Sequence, residues 1–192
     1  MKPNVTKRYL ELFIQNSLQR VLEVLFQYPE KEFSLSDLAK EARVAKPHIG
    51  KILSKLERLG FITITKLAKI WRIKANQQSG NFIKSKIVYN LNFICQSGLV
   101  EFLTDYFGNP KAIILFGSFR QGEDFSTSDI DIAIENEETE YKTRRLRILS
   151  DYEKAIGRTI QIHLFNRRYI DTHVFNNIAN GIVLSGFLEV KP

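Results

Sequence analysis

Cysteine is all but missing from this chain: Cys95 is the single example among 192 residues. That excludes an internal disulfide and any cysteine-based metal cluster. With Phe93 and Ile94 beside it, Cys95 reads as a buried structural thiol. Long apolar runs are missing too, since none approaches the roughly 18 residues that a membrane span needs. The opening MKPNVTKRYLELFIQ mixes charge into its apolar positions, unlike a signal peptide, and this points to the cytoplasm. Nor is the composition that of a disordered chain, because 44% of residues are hydrophobic and 11% aromatic. Length permits one domain or two small ones.

What is present is unevenly charged. The formal net charge is +7. Residues 1–79 carry 15 Lys and Arg against 7 Asp and Glu, a balance of +8; residues 80–192 carry 13 against 14, a balance of −1. A basic part joined to a near-neutral part suggests two jobs, the first with a polyanion.

In the basic part, Leu18, Val21, Leu22 and Leu25 recur at the spacing of an amphipathic helix over Asn16 to Phe26. SLSDLAKEA starts a second helix, with Ser34 and Asp37 at capping-box spacing. AKPHIGKILSKLERLG gives a third, with Ile49, Ile52, Leu53, Leu56 and Leu59 as its apolar stripe and Gly60 as its terminating glycine. Only ARVA separates the last two helices, which forces a sharp helix-turn-helix. FITITK and KIWRIKA then read as a hairpin around Leu67-Ala68. This order, over about residues 16–76, resembles the winged helix-turn-helix domains of bacterial and archaeal regulators. A helix in the major groove reads bases from its first turns and touches phosphates elsewhere. Lys46, His48 and Lys51 are therefore the candidate readers, and Lys55 and Arg58 continue the same outward face. Lys66, Lys69 and Arg72 would bring the wing to phosphates. The other reading of these residues is a solvated surface on a docking or dimerisation module. A homodimer is compatible with DNA readers that take paired half-sites.

ANQQSGN marks a linker at Ala75 to Asn81. FIKSKIVYNLNFICQ and LVEFLTDYF are helical patterns on either side of Ser97-Gly98, expected to pack on the domain that follows, with a dimer seam as the alternative. The expected organisation is residues 1–78 as the winged helix, 79–109 as connecting helices and 110–192 as a small α/β domain with a mixed sheet, α+β as a whole.

The continuous apolar run Ala112 to Phe116 suits a strand buried on both faces, and it breaks at Gly117-Ser118. Small residues after a buried strand let phosphate oxygens approach backbone N–H groups. Ten residues of mostly polar loop follow, then DIDIAI, in which Asp129 and Asp131 share one strand face about 6.6 Å apart at Cα. With no Lys or Arg adjacent in sequence, two such carboxylates repel each other, and a divalent cation relieves that cost. Oxygen ligands of this kind suit Mg²⁺, which combines one or two carboxylates with phosphate oxygens and water.

LFGSFRQGEDFSTSDIDIAI is similar to the signature of the DNA polymerase β-like nucleotidyltransferase superfamily, and in its spacing to the minimal members written MNT. Those occur with HEPN partners as toxin–antitoxin pairs. The likeness extends over about residues 97–188, including NGIVLSG. It implies that Gly117 and Ser118 hold the triphosphate of ATP or another NTP and that Asp129 and Asp131 bind the catalytic Mg²⁺. It implies transfer of an NMP group to a hydroxyl of a protein or small molecule. The sequence departs from the family in two places. Arg120 sits one position earlier than the cation that family members carry after the turn. The third carboxylate expected on a later strand is absent from RTIQIHLF, where Gln161 takes its place. An amide neither accepts a proton as a base nor binds Mg²⁺ well. His163, two residues on, is open to a role as base or as a structural imidazole. Glu123, Asp124 and Glu135 are other acids near the motif.

Three functions follow as alternatives: a nucleotidyltransferase with a DNA-binding regulatory domain, a regulator or nucleotide sensor that has lost catalysis, and an antitoxin-like enzyme acting on a HEPN toxin. ENEETEYKTRRLR reads as a loop entering a helix, with Arg144, Arg145 and Arg147 either on a solvated helix face or reaching a phosphate or RNA. His173 has no partner at metal-ligand spacing and reads as structural.

Overall fold

A computed structural model describes residues 16–67, 70–137 and 139–190. They form two compact units that divide between Tyr89 and Asn90. In the first unit, helix α1 (Ser17–Gln27) is capped by Asn16, whose Oδ1 accepts the Gln19 N–H at 2.9 Å. Helix α2 (Leu35–Glu41) carries the capping device its sequence announces: Ser34 Oγ accepts the Asp37 N–H at 3.1 Å and donates to Asp37 Oδ2 at 2.7 Å. Helix α3 (Lys46–Arg58) follows a short turn and has Pro47 in its first turn, where a missing N–H costs nothing. Strands β2 (Ile62–Leu67) and β3 (Ile70–Ala75) pair antiparallel as the wing, with Ile62 opposite Ala75. Val21, Leu25, Leu38, Ile49, Leu53 and Ile73 centre the core of this unit.

Two features differ from the sequence reading. Leu59 is 46% exposed, because α3 stops at Arg58 and the chain turns away at Gly60 with φ +76. A two-residue strand β1 (Glu32–Phe33) also pairs with β3, Glu32 opposite Lys74, completing a three-stranded sheet. It is too short to show a periodicity of its own.

Helix α4 (Gly80–Gln96) runs across the division: Phe82 belongs to the first core, Phe93 and Ile94 to the second. Cys95 is exposed, contrary to the buried thiol expected from its neighbours. One residue along a helix is a rotation of about 100°, enough to carry a side chain from the buried stripe to solvent. Helix α5 (Leu99–Tyr106) follows the left-handed Gly98.

The second unit is built on a mixed sheet of β4 (Ala112–Phe116), β5 (Ile130–Glu135), β6 (Lys142–Arg144), β7 (Ile160–Phe165) and β8 (Ile182–Gly186). Their order is β6-β7-β5-β4-β8, with β5 and β7 parallel and the other pairs antiparallel. Alternation sorts the side chains. Ile113, Leu115, Ile130, Ile132, Ile160 and Ile162 meet α4, α5 and helix α7 (Ser150–Ile156) on one face. On the other, Ala112, Ile114, Ala133 and Phe165 are covered by helix α8 (Thr172–Ala179) through Ile178.

Two local expectations are corrected. The stretch after Gly117 begins as a short helix, α6 (Gly117–Gln121), and only then becomes loop. The charged segment does not enter a helix directly. Pairing with β7 makes Lys142–Arg144 a strand, and a 3-10 turn at Arg147–Leu149 precedes α7. Pairing with a neighbouring strand outweighs the local charge order.

The loop between α6 and β5 is anchored from beneath. Asp124 is buried, accepts from Asn90 Nδ2 at 2.9 Å and faces the buried Arg158 guanidinium at 3.4 Å. Asn90 Nδ2 also donates to the Phe119 carbonyl at 2.8 Å, so one side chain ties α6 and the loop to α4. Asp124→Ala leaves Arg158 without this carboxylate. Its expected cost is about 3–5 kcal/mol, as for removing one partner of a buried pair. Denaturant unfolding measures it, and a loss below about 1 kcal/mol, the range of a surface pair, would show that the pair does not anchor the loop.

Candidate functional site

The site forms where β4 ends and β5 begins. Phe116 and Asp131 are register partners, so the turn after β4 stands beside the second residue of β5. Gly117 has φ +74, and a Cβ built on it would meet the Asp131 carboxylate: 3.2 Å from Cγ, 3.3 Å from Cβ and nearer still to Oδ2. The carboxylate thus fills the place where any other residue's side chain would begin. Glycine is required here both for its backbone conformation and for this close approach. The N-terminus of α6 has no side-chain cap, which leaves the first-turn N–H groups of Gly117 and Ser118 without a side-chain acceptor.

Asp129 directly precedes β5 and Asp131 lies within it; their side chains are 26% and 25% exposed, accessible to a small ligand yet mostly enclosed. Each has a partner that the sequence did not disclose. Arg145 Nη2 donates to Asp129 Oδ2 at 3.0 Å; this arginine follows β6 instead of standing on a helix, and it stays solvent-exposed. His163 Nε2 lies 3.0 Å from Asp131 Oδ1. The ring of His163 also packs edge-on against Phe116, centroids 4.9 Å apart, and its Nδ1 meets the Tyr141 hydroxyl. Burial pushes the Tyr141 phenol above its ordinary pKa, a hydrogen bond with Thr143 lowers it in part, and the Asp131 charge adds to the rise. A phenol that keeps its proton donates it to Nδ1. With its proton on Nε2, the ring accepts from that phenol and donates to Asp131 at once.

Register decides the third acid. In the parallel pair Asp131 stands opposite Gln161 and Ala133 opposite His163. Gln161 therefore holds the position next to the Asp131 carboxylate, and His163 reaches it from one step further on. The other acids near the motif lie elsewhere. Glu123 is exposed, Asp124 is paired with Arg158, and Glu135 sits at the far end of β5. There Glu135 holds Arg167 through Nε at 2.6 Å and Nη2 at 3.0 Å. Those hydrogen bonds raise the arginine's pKa above its ordinary value. Arg120 is half-buried in the last turn of α6. His173 is exposed near the start of α8.

Among the described residues no group of three or more His, Cys, Asp or Glu side chains is placed to hold a metal. The donor set at Asp129 and Asp131 instead fits a hard divalent ion that takes its remaining ligands from phosphate oxygens and water. The close seating of Asp131 on Gly117 puts that oxygen donor directly against the backbone of the turn.

In the first unit, the candidate DNA-contacting residues Lys46, His48, Lys51, Lys55, Arg58, Lys66 and Arg72 are all exposed. Lys69 lies outside the described residues. Lys51, Lys55 and Arg58 rim a shallow depression of about 430 Å³ together with Trp71 of the wing. Lys66 lies over the Trp71 ring, 4.5 Å from its centroid, and Arg72 pairs with Glu32 at 3.3 Å.

Residues 98–186 match the family described as Polymerase beta, Nucleotidyltransferase. The matched segment contains Gly117, Ser118, Asp129, Asp131 and His163. No curated protein sequence matches the chain. Three similar solved structures each cover 52% of it. One is MepR, a transcription regulator of the Staphylococcus aureus multidrug efflux pump MepA, at 18% identity, 73% of that chain and TM-score 0.38. A second is the S. aureus MepR–DNA complex, at 21% identity, 86% of that chain and TM-score 0.35. The third is the adhesin competence repressor AdcR of Streptococcus pyogenes, at 13% identity, 72% of that chain and TM-score 0.35.

Gly117→Ala tests the packing of the site. The left-handed backbone alone costs an alanine about 1–2 kcal/mol, and displacement of the Asp131 carboxylate adds to it. The expected result is a loss of at least that size in denaturant unfolding. A variant as stable as the parent would mean that Asp131 does not lean on the turn.

Proposed function

We propose that the chain is a Mg²⁺-dependent nucleotidyltransferase, transferring an NMP group from ATP or another NTP to a hydroxyl of a protein or small molecule, and that its basic helix-turn-helix binds DNA. The observation that carries the first part is the seating of Asp131 on Gly117, which sets one carboxylate of the Asp-x-Asp pair against the turn. The N–H groups of Gly117 and Ser118 and the Ser118 hydroxyl hold the phosphates. Asp129 and Asp131 hold Mg²⁺, which supplies neutralisation of the charge that develops during phosphoryl transfer. Arg145 pairs with Asp129 in the free protein and is close enough to turn to substrate phosphate when the nucleotide arrives. His163 fixes the orientation of Asp131 through Oδ1.

One observation favours a second reading. Gln161 beside Asp131 removes the acid that would complete a three-carboxylate centre, and a protein that binds NTP without transferring it is a sensor or regulator. The antitoxin-like version, with a HEPN-type protein as acceptor, rests on the sequence resemblance alone. For the first unit, the exposed cations along α3 and the wing support DNA over a docking role, because phosphate contacts supply most non-specific affinity.

Thermal unfolding with ATP, with and without Mg²⁺, tests the nucleotide site. At a hundredfold excess of ligand over Kd the expected stabilisation is about 2.7 kcal/mol, dependent on Mg²⁺ and lost in Asp129→Asn. No shift with any NTP at millimolar concentration would sink both the enzyme and the sensor. DNA binding is measured on a mixed-sequence duplex over a range of salt. Affinity should fall steeply with salt, and the double variant Lys51→Ala, Lys55→Ala should flatten the log–log slope by about 0.9 for each phosphate that is no longer neutralised. Affinity and slope unchanged in that variant would remove α3 from the interface.

A further inference from the structure

We propose that Tyr141 is a nucleotidylation site of this protein, an acceptor hydroxyl that the chain carries next to its own nucleotide site. The inference rests on the transferase reading above and names one acceptor for it.

The argument starts from His163. Both of its ring nitrogens are engaged: Nε2 faces Asp131 Oδ1 at 3.0 Å, and Nδ1 faces the Tyr141 hydroxyl. A hydroxyl brought in from outside would have to displace one of them to reach this base. The hydroxyl already beside it is that of Tyr141. Nucleophile, base and orienting carboxylate therefore stand in sequence, each within hydrogen-bond reach of the next. That order makes a weak nucleophile competent in enzymes that work through covalent intermediates. A phenol that holds its proton needs such a base, and Nδ1 is placed to take the proton.

Three further features fit an acceptor better than a core tyrosine. Tyr141 is 37% exposed, so a phosphodiester on its oxygen has room to extend into solvent. It immediately precedes β6, whose Thr143 stands opposite His163 and hydrogen-bonds the phenol, so the segment is held in register with the base. Four residues on, Arg145 lies on Asp129, which puts a guanidinium for the phosphates on the same segment as the acceptor.

The reaction balances with an NTP as co-reactant. The phenol oxygen forms a bond to the α-phosphorus as the bond between that phosphorus and the α,β-bridging oxygen breaks. Pyrophosphate leaves, and the phenol proton passes to His163 Nδ1 and from there to solvent. The imidazolium formed meanwhile faces the Asp131 carboxylate through Nε2–H. The product is an O-nucleotidyl tyrosine.

The test uses the full-length protein with Mg²⁺ and each of the four NTPs labelled at the α-phosphate, read by intact mass and peptide mapping. The expected result is one NMP on the peptide that contains Tyr141, absent in Tyr141→Phe and in Asp129→Asn. In His163→Gln, which keeps a donor for Asp131 but has no base, labelling should slow at least a hundredfold, the lower end of what a positioned base contributes, roughly 10²–10⁴-fold. A cooperative thermal transition verifies that each variant is folded. Label that maps to another residue, or that persists in Tyr141→Phe, overturns the proposal. The wild-type thermal shift with Mg²⁺ and ATP separates the two levels of argument. A shift without any label overturns Tyr141 as acceptor and leaves the nucleotide site standing, whereas no shift overturns both.

Discussion

Two carboxylates at alternate positions of one strand cannot sit half-enclosed without counter-charge, and the second unit is organised around that requirement. Asp129 and Asp131 project where β5 begins, and neither has a cation as a sequence neighbour. The fold brings the compensation from far along the chain. Arg145 comes from the segment after β6, and His163 from the middle of β7. Because β5 and β7 run parallel, a residue two places further along β7 than the register partner of Asp131 still shares its face and reaches back to it. Gly117 supplies the remaining condition by having no side chain where the carboxylate must be.

The same sheet face explains why the site is open at one end. Ala112, Ile114, Ala133 and Phe165 are sealed by α8 through Ile178, with Phe116 at the margin of that cluster and His163 level with Ala133, whereas Asp131 and Gln161 lie further toward the start of β5. The face changes from apolar to polar along its own strands. At its other end Glu135 is satisfied by Arg167, which also pairs with Glu189. The two acids of β5 that point to this face are thus treated differently. Glu135 is 1% exposed and bound on both oxygens by one arginine. Asp131 keeps a quarter of its side chain exposed and gives one oxygen to His163. Only the second arrangement leaves a carboxylate oxygen for a ligand.

Much of this was legible in the sequence because it depends on short-range periodicity. The capping of α2 by Ser34, the buried run Ala112 to Phe116 and the exposed cations of α3 all follow from residues a few positions apart. The substitution of Gln161 for an acid was legible for the same reason, since strand alternation alone puts it on the polar face. What could not be read was pairing between distant side chains. Nothing in ENEETEYKTRRLR tells that Arg145 lies on Asp129 or that Tyr141 meets His163, because both depend on β6 pairing with β7 across some twenty residues. The misreading of Cys95 has a different origin: buried neighbours in sequence are poor guides on a helix, where adjacent residues face different ways. Leu59 was misplaced at an element boundary, where periodicity no longer governs.

The ion pair on Asp129 bears on how metal and nucleotide arrive. Arg145 and a divalent cation compete for the same carboxylate, so in the proposed reading an ion alone must displace a guanidinium without offering it another anion. A triphosphate changes that balance, since it offers Arg145 a new partner and offers the ion additional oxygen ligands. Metal and nucleotide are then favoured together more than either is alone. A site with only two carboxylates depends on this coupling more heavily than one with three, because less of the ion's coordination is provided by protein. In the proposed reading, the amide at Gln161 and the guanidinium on Asp129 therefore act in the same direction: both would make binding of the ion conditional on the nucleotide.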